Sequence, residues 1–435
     1  MRKRPDFEPS ELKQGVALDE EDRFQRRDTQ QDELMKRRNE VVQKICDTVD
    51  AECNIAFGNR IVSLIVTGSA ARGEATIVNS GNGWKLLGDA EFLLVVQQTD
   101  GAADARCADT VKCESARKLR SQGIEVLIDL AVVQVSYFKR LPPYIFSYEL
   151  RVCGQVISGD PSILELIPKF TARDISREDA WRLLCNRMIE QLEFAGDLEG
   201  SPVQLTPRLH YATVKLYLDM ATSYLAFIGG YAPTYRERAE RLVKLATEPS
   251  TEAPFSLRKF GARVTECTSW KLTGDEEARD RRVELWLEAI RYMRRLWRWE
   301  MIQLTNDQND LTIADLSARL ARRQNMAQRL RGWMSLVKRR GLVKSSPQWP
   351  RWMKLALYAT PRYLVYQAAA EVAFRLPCLV KHSGQPERLN VKWREMQTLL
   401  PEHAPQSDSC CGPIWRKFVD DVVWNYSEFL QDTRA

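Results

Sequence analysis

Histidine is nearly absent: three residues in 435. A catalytic centre built on several imidazoles is therefore excluded, and any metal chemistry must rest on carboxylate oxygens, the ligands suited to magnesium or manganese. Long apolar runs are also lacking. No stretch approaches the roughly 20 residues needed to cross a bilayer, and the opening Met1-Arg-Lys-Arg-Pro-Asp6 leads into dense charge without the apolar segment of a secretory signal. These features predict a cytoplasmic protein, in which the ten cysteines act as reduced, small hydrophobes. Cys378, His382, His403, Cys410 and Cys411 are the one group to weigh as a structural zinc site, and their spacing departs from the usual pairing of a close Cys pair with a close His pair.

Acidic residues are missing from one place. Residues 316–354 hold eleven Lys or Arg (Arg319, Arg322, Arg323, Arg329, Arg331, Lys338, Arg339, Arg340, Lys344, Arg351 and Lys354) and no Asp or Glu. The formal net charge of the whole chain is only +6, so this segment carries the basic character. Trp333, Trp349 and Trp352 are interleaved with it. Cations with aromatics suit nucleic acid, through phosphates and base stacking. They equally suit an anionic membrane surface, or a solvated face packed against acidic parts of the same chain.

The pattern along the chain changes twice. Residues 1–30 are polar and charged, an arm rather than a core element. Leu34, Val41, Val42, Ile45 and Val49 fall at helical spacing within 31–53. Short β-branched runs follow at 61–66, 92–96 and 124–135, with 151–157 as a fourth strand and a helix over 104–122. Beyond Pro161 the periodicity is helical, near 176–196, 207–229, 233–247, 276–304, 312–340, 351–376, 388–399 and 413–431. The expected class is α+β: a small mixed-sheet domain at 31–160, a helical domain at 161–310 and a basic helical region at 311–435.

Three features within 61–135 carry chemistry. Thr67-Gly-Ser-Ala-Ala-Arg-Gly-Glu74 follows a strand directly, so Gly68 and Ser69 open a helix whose backbone N–H groups can receive a phosphate. Asp89 and Glu91 stand two apart at the entrance of an apolar strand, which puts both carboxylates on one face. Asp129 lies amid Leu127, Ile128, Leu130, Ala131, Val132 and Val133, where an unpaired carboxylate is costly and needs a metal, a partner or a raised pKa. Glu125 shares that face and is the rival third acid. Three carboxylates beside a phosphate-binding turn fit two-metal phosphoryl transfer.

The series Gly68-Ser69, Arg72-Gly73-Glu74, Asp89-Ala-Glu91 and Asp129 resembles the DNA polymerase beta-type nucleotidyltransferase superfamily, in the bacterial branch with a Gly-Ser-x-Ala-Arg-Gly-Glu opening. The resemblance spans about 100 residues, and its motifs are specific only in combination. It implies that Asp89, Glu91 and Asp129 hold Mg2+ (or Mn2+) and catalyse transfer of a nucleoside monophosphate from a nucleoside triphosphate to an acceptor hydroxyl. It further implies that Gly68 and Ser69 bind the triphosphate, with Arg72 a candidate for the same. Two departures stand out: the second acid is Glu rather than the commoner Asp, and 75–88 is longer than in minimal members, which predicts an enlarged loop before the metal strand. Such proteins usually carry a helical domain that helps bind nucleotide or acceptor, which makes Lys215 and Arg236 candidates to reach the triphosphate. The alternative is a catalytically silent nucleotide- or nucleic-acid-binding scaffold of the same fold. The acceptor is not legible.

Overall fold

A computed structural model describes residues 36–81, 83–198, 203–248, 252–274, 281–307, 311–381, 393–404 and 414–429. The N-terminal arm expected at 1–30 lies outside them, as do His382, Cys410 and Cys411 of the weighed zinc cluster. The chain packs as two units: 1–140 with 153–167, and 141–152 with 168–435. Residues 311–435 thus cluster with the helices before them, and 141–152 with the helical unit.

In the first unit, helix α1 (36–57) runs into strand β1 (Ile61–Thr67), the one-turn helix α2 (Gly68–Ala71), β2 (Thr76–Asn79) and β3 (Trp84–Val96). Helix α3 (Gly101–Ser121), β4 (Ile124–Gln134), the short α4 (Val135–Phe138), α5 (Ile145–Cys153) and β5 (Gln155–Gly159) follow. The sheet is mixed. β3 pairs parallel with β4 on one edge, across the α3 crossover that parallel strands require. On the other edge β3 pairs antiparallel with β2 through its first half and with β1 through its second, and β1 pairs antiparallel with β5. One face is dry: Leu64, Val66, Ala90, Phe92, Leu94, Val96, Val126 and Leu130 pack against Val41, Ile45, Val49, Cys53 and Phe57 of α1 and Val111 and Leu119 of α3. Burial pushes the Cys46 and Cys53 thiols up to about 12, so at neutral pH they pack as hydrophobes.

Two local expectations are corrected. Residues 75–88 are a β-hairpin, β2 against the start of β3, closed where Ser80 N–H donates to Gly83 O at 2.9 Å. Residues 151–153 finish α5, and the strand expected at 151–157 is β5, beginning at Gln155.

The second unit is helical, with α6 (Arg177–Glu193), α7 (Pro207–Phe227), α8 (Tyr235–Leu245), α9 (Leu257–Thr273) and α10 (Val283–Thr305). It continues through α11 (Ile313–Arg322), α12 (Met326–Arg340), α13 (Leu342–Ser345), α14 (Trp349–Ala356), α15 (Pro361–Ala373), α16 (Leu376–Lys381), α17 (Trp393–Gln397) and α18 (Ile414–Phe429). The single helix expected over 312–340 is broken at Asn325, whose side chain caps α12 in a reciprocal box with Gln328. α7 is buried almost all round, from Leu209 to Phe227, and forms the centre of this unit. No described helix is long and apolar enough to cross a membrane.

Candidate active site

The face of the sheet opposite α1 carries the three acids. On β3, Ala90 and Phe92 point into the dry core, so the alternation of a strand sends Asp89 and Glu91 the other way. Asp89 is exposed and Glu91 half-buried. On β4, Val126 and Leu130 face the core, which puts Glu125, Leu127 and Asp129 on the acid face.

A bulge decides which acids are neighbours. Lys85 pairs with Glu125, but the next partners are Asp89 and Leu127, so β3 holds two more residues than β4 between these points. Gly88, at φ +105°, lies in this interval. Because the excess is even, the faces keep their parity. Without it Asp89 would stand opposite Asp129; with it Glu91 does, and Asp89 stands opposite Leu127, which is 73% exposed. Strand separation sets the Glu91 and Asp129 backbones about 4.8 Å apart. Glu125, the rival acid, is spoken for at the far end of the strand, 2.6 Å from Lys85 Nζ.

The Gly-Ser turn meets the same carboxylate. Thr67 is the register partner of Glu91, and the chain leaves β1 at the next residue. Gly68 adopts φ +66°, a left-handed conformation open to glycine. A β-carbon at Gly68 would lie 3.0 Å from both Cδ and Oε2 of Glu91 and 3.2 Å from Oε1. The backbone of the turn therefore lies against the Glu91 carboxylate. Ser69 is half-buried at the start of α2, and Glu74 N–H donates to Ser69 O at 2.8 Å, folding the turn back on itself. Gln155 Nε2 donates to Ala71 O at 2.6 Å and ties the other end of α2 to β5.

Arg72 is not an exposed helix residue. Its side chain is only 5% exposed and its Nε lies 3.2 Å from Oε2 of the equally buried Glu74, so its guanidinium braces the turn. Lys215 belongs to the helical unit, 3.7 Å from Glu190 Oε1 and 5.6 Å from the Tyr211 ring centroid. Glu190 also pairs with Arg187, whose Nε reaches Asp219 at 2.6 Å. Arg236 is exposed, whereas its neighbour Arg238 is 2% exposed and binds Glu149, Thr222, Tyr231 and two carbonyls. A basic cavity of about 860 Å³ around Gly229-Gly230, lined by Arg173, Arg177, Arg241 and Lys244, has no sequence signal beyond the glycine pair.

For a metal, the donor chemistry is suitable: three carboxylates on one half-open face, hard oxygen ligands of the kind Mg2+ takes. Among the described residues, however, no three His, Cys, Asp or Glu side chains are gathered closely enough to hold an ion. What the fold fixes is the backbone register that makes the acids neighbours. Two of the three tryptophans of the basic segment are core residues. Trp333 and Trp352 are 5% and 3% exposed, 5.8 Å apart ring to ring, and donate to Ala359 O and Pro401 O at 2.9 Å each. Only Trp349 remains at the surface. Of the zinc cluster, Cys378 is exposed and His403 Nδ1 lies 3.4 Å from Asp421 Oδ2.

No protein-family model matches the chain, and no curated protein matches it. A solved structure to which it is similar is that of spectinomycin adenyltransferase AAD(9) from Enterococcus faecialis with ATP and spectinomycin. The two share 13% identity over 58% of this chain and 98% of that one, with a TM-score of 0.34. A likeness at that score carries no weight on activity.

Proposed function

We propose that the sheet unit is a metal-dependent nucleotidyltransferase, which moves a nucleoside monophosphate from a nucleoside triphosphate to an acceptor hydroxyl and releases pyrophosphate. The observation that supports this most is the meeting of three backbone facts at Glu91. It pairs with Asp129, shares a face with Asp89 and lies against the left-handed Gly68.

In this reading Asp89, Glu91 and Asp129 hold Mg2+ (or Mn2+), which when bound would neutralise phosphate charge and acidify the acceptor hydroxyl. Like charges this close repel, so drawing the side chains inward is work for the cation, and the protein's part is the register that makes it short. Gly68 lets the backbone approach the triphosphate without a side chain in the way, and Ser69 N–H and Oγ are donors at its edge. In the same reading Asp129 takes the acceptor's proton. Arg72 acts indirectly, bracing the turn through Glu74. Lys215 stays a candidate for the triphosphate, at the cost of loosening its contact with Glu190.

The absence of a gathered acid triplet among the described residues favours a second reading, a nucleotide-binding scaffold without turnover. Incubating the full chain with each labelled nucleoside triphosphate and Mg2+ separates the two. Catalysis predicts pyrophosphate release that falls at least about a hundredfold in Asp89→Ala, Glu91→Gln and Asp129→Asn, with Glu125→Gln near wild type. Equal release from wild type and all three acid variants would sink the catalytic reading. Nucleotide binding without release would establish the scaffold.

A further inference from the structure

We propose that α12 and α14 form a docking surface for an anionic lipid bilayer, independent of the reaction proposed above. The starting observation is where apolar surface is left in water. Of thirteen exposed large hydrophobic residues among those described, eight fall in 326–358: Met326, Leu330, Met334, Leu342, Trp349, Met353, Leu357 and Tyr358. Single exposed apolar side chains are ordinary, but a concentration of them marks a contact surface.

Their spacing is that of helix faces. Met326, Leu330 and Met334 stand four apart on α12. Trp349 and Met353 stand four apart on α14, and Leu357 extends the row just beyond its end. These stripes do not serve the core, since each helix already has an inward face. Trp333 and Leu336 of α12 and Trp352 and Leu355 of α14 are buried. On each helix the exposed row adjoins the buried one, so the apolar arc is wider than the core covers.

The charges select the partner. Four cations of the basic segment have partners outside their own helices. Arg319 pairs with Asp307 and Arg340 with Glu402. Arg329 donates to Leu357 O and Ala321 O, and Arg351 to Leu400 O. Six others are exposed: Arg322, Arg323, Arg331, Lys338, Arg339 and Lys354. Three of these, Arg323, Arg331 and Arg339, also line a cavity of about 580 Å³ together with Arg182 and Arg362. The one acid described in its lining, Glu178, is engaged by Arg182 and by the Tyr363 hydroxyl at 2.5 Å each. That cavity offers several guanidinium groups to a lipid phosphate.

A second copy of this surface would bring like charges together, which opposes self-association. Nucleic acid would use the cations but has no use for Met and Leu stripes, and two of the segment's three tryptophans, Trp333 and Trp352, are buried away from any base. An anionic bilayer uses both: phosphates for the cations, the acyl boundary for the stripes, and the interface for Trp349 and Tyr358.

The test is co-sedimentation of the full chain with phosphatidylcholine vesicles, with and without about 30% phosphatidylglycerol. Two variant sets are compared, Leu330→Ser with Met334→Ser and Met353→Ser, and Arg331→Gln with Lys338→Gln. All five positions are exposed, and circular dichroism and melting curves check that the fold is kept. Binding should require the anionic lipid. It should weaken at least about tenfold in the apolar set and about fivefold per cation removed in the charge set. No binding to anionic vesicles overturns the proposal. So does tighter binding to an RNA or DNA duplex that the apolar set leaves unchanged, which would assign the surface to nucleic acid. Concentration-dependent self-association abolished by the apolar set, without vesicle binding, would assign it to a second copy and equally overturn it.

Discussion

Two glycines of one turn offer a paired experiment on the candidate site. Gly68 and Gly73 have nearly the same φ, +66° and +68°, so alanine at either forces an L-residue to positive φ at about 1–2 kcal/mol. They differ in what the new methyl meets. At Gly73 nothing lies within 4 Å; at Gly68 the β-carbon would lie 3.0 Å from Glu91 Cδ and Oε2. Carbon atoms rest at about 3.5–4.0 Å, so the Glu91 carboxylate must retreat by several tenths of an ångström or the turn must shift by as much. Both variants should lose about 1–2 kcal/mol of stability to the backbone in urea titrations, and Gly68→Ala somewhat more for the displaced carboxylate. A displacement approaching 1 Å can cost on the order of a hundredfold in rate, so Gly68→Ala should lose about ten- to a hundredfold in pyrophosphate release and Gly73→Ala little. Equal rates for the two variants, measured where both are folded, would refute the role assigned to the Gly68–Glu91 contact.

Other expectations concern stability and can be tested without a substrate. Glu300 is fully buried; one oxygen accepts from Ser223 Oγ at 2.6 Å and the other has no hydrogen-bond partner among the described residues. Burial pushes its carboxyl up to about 8. The folded state then keeps a proton that the unfolded chain releases above about pH 4.3, so this group's contribution is full at lower pH and declines as pH rises towards 8. Glu300→Gln should be near neutral in urea titrations at about pH 5 and stabilising by a few kcal/mol above pH 8; a variant whose deficit or gain is constant across that range would contradict it. Arg238, 2% exposed, joins Glu149, Tyr231, Thr222 and the carbonyls of Ala232 and Pro233. Arg238→Ala should cost about 3–5 kcal/mol by stranding these groups, and a loss under about 1 kcal/mol in chemical denaturation would show the network to be dispensable.

How far the sequence led depended on the range of the signal. Strands β1, β3 and β4 and the shared face of Asp89, Glu91 and Asp129 follow from runs and parity, both local. The register does not: nothing in 84–91 or 124–129 taken alone says that β3 bulges by two, and that bulge makes Glu91, not Asp89, the neighbour of Asp129. Lys85 pairs with Glu125, the rival of Asp129, across strands, a contact invisible until the strands are placed. Other signals are local. Asn79-Ser-Gly-Asn-Gly83 between Thr76-Ile-Val and Trp84-Lys-Leu-Leu is a hairpin pattern. Helix α9, absent from the expected helices, has the Ser256 cap, buried residues at 257, 260, 264 and 267, and a left-handed Gly274 at its end. The basic segment misled for the opposite reason: charge and aromatics are legible, but which face each tryptophan takes is a matter of tertiary packing.

Strand β5 closes the sheet beside β1, yet it is reached only after 141–152 have joined the other unit. Neither unit is therefore an uninterrupted length of chain. A fragment ending at 140 would leave β1 with a bare edge, and one ending at 167 would carry residues that belong to the helical core. On the ribosome the sheet cannot be sealed until that excursion has emerged. In heredity the two units are bound as well: no single crossover in the coding sequence could exchange one for a homologue's and leave the other whole.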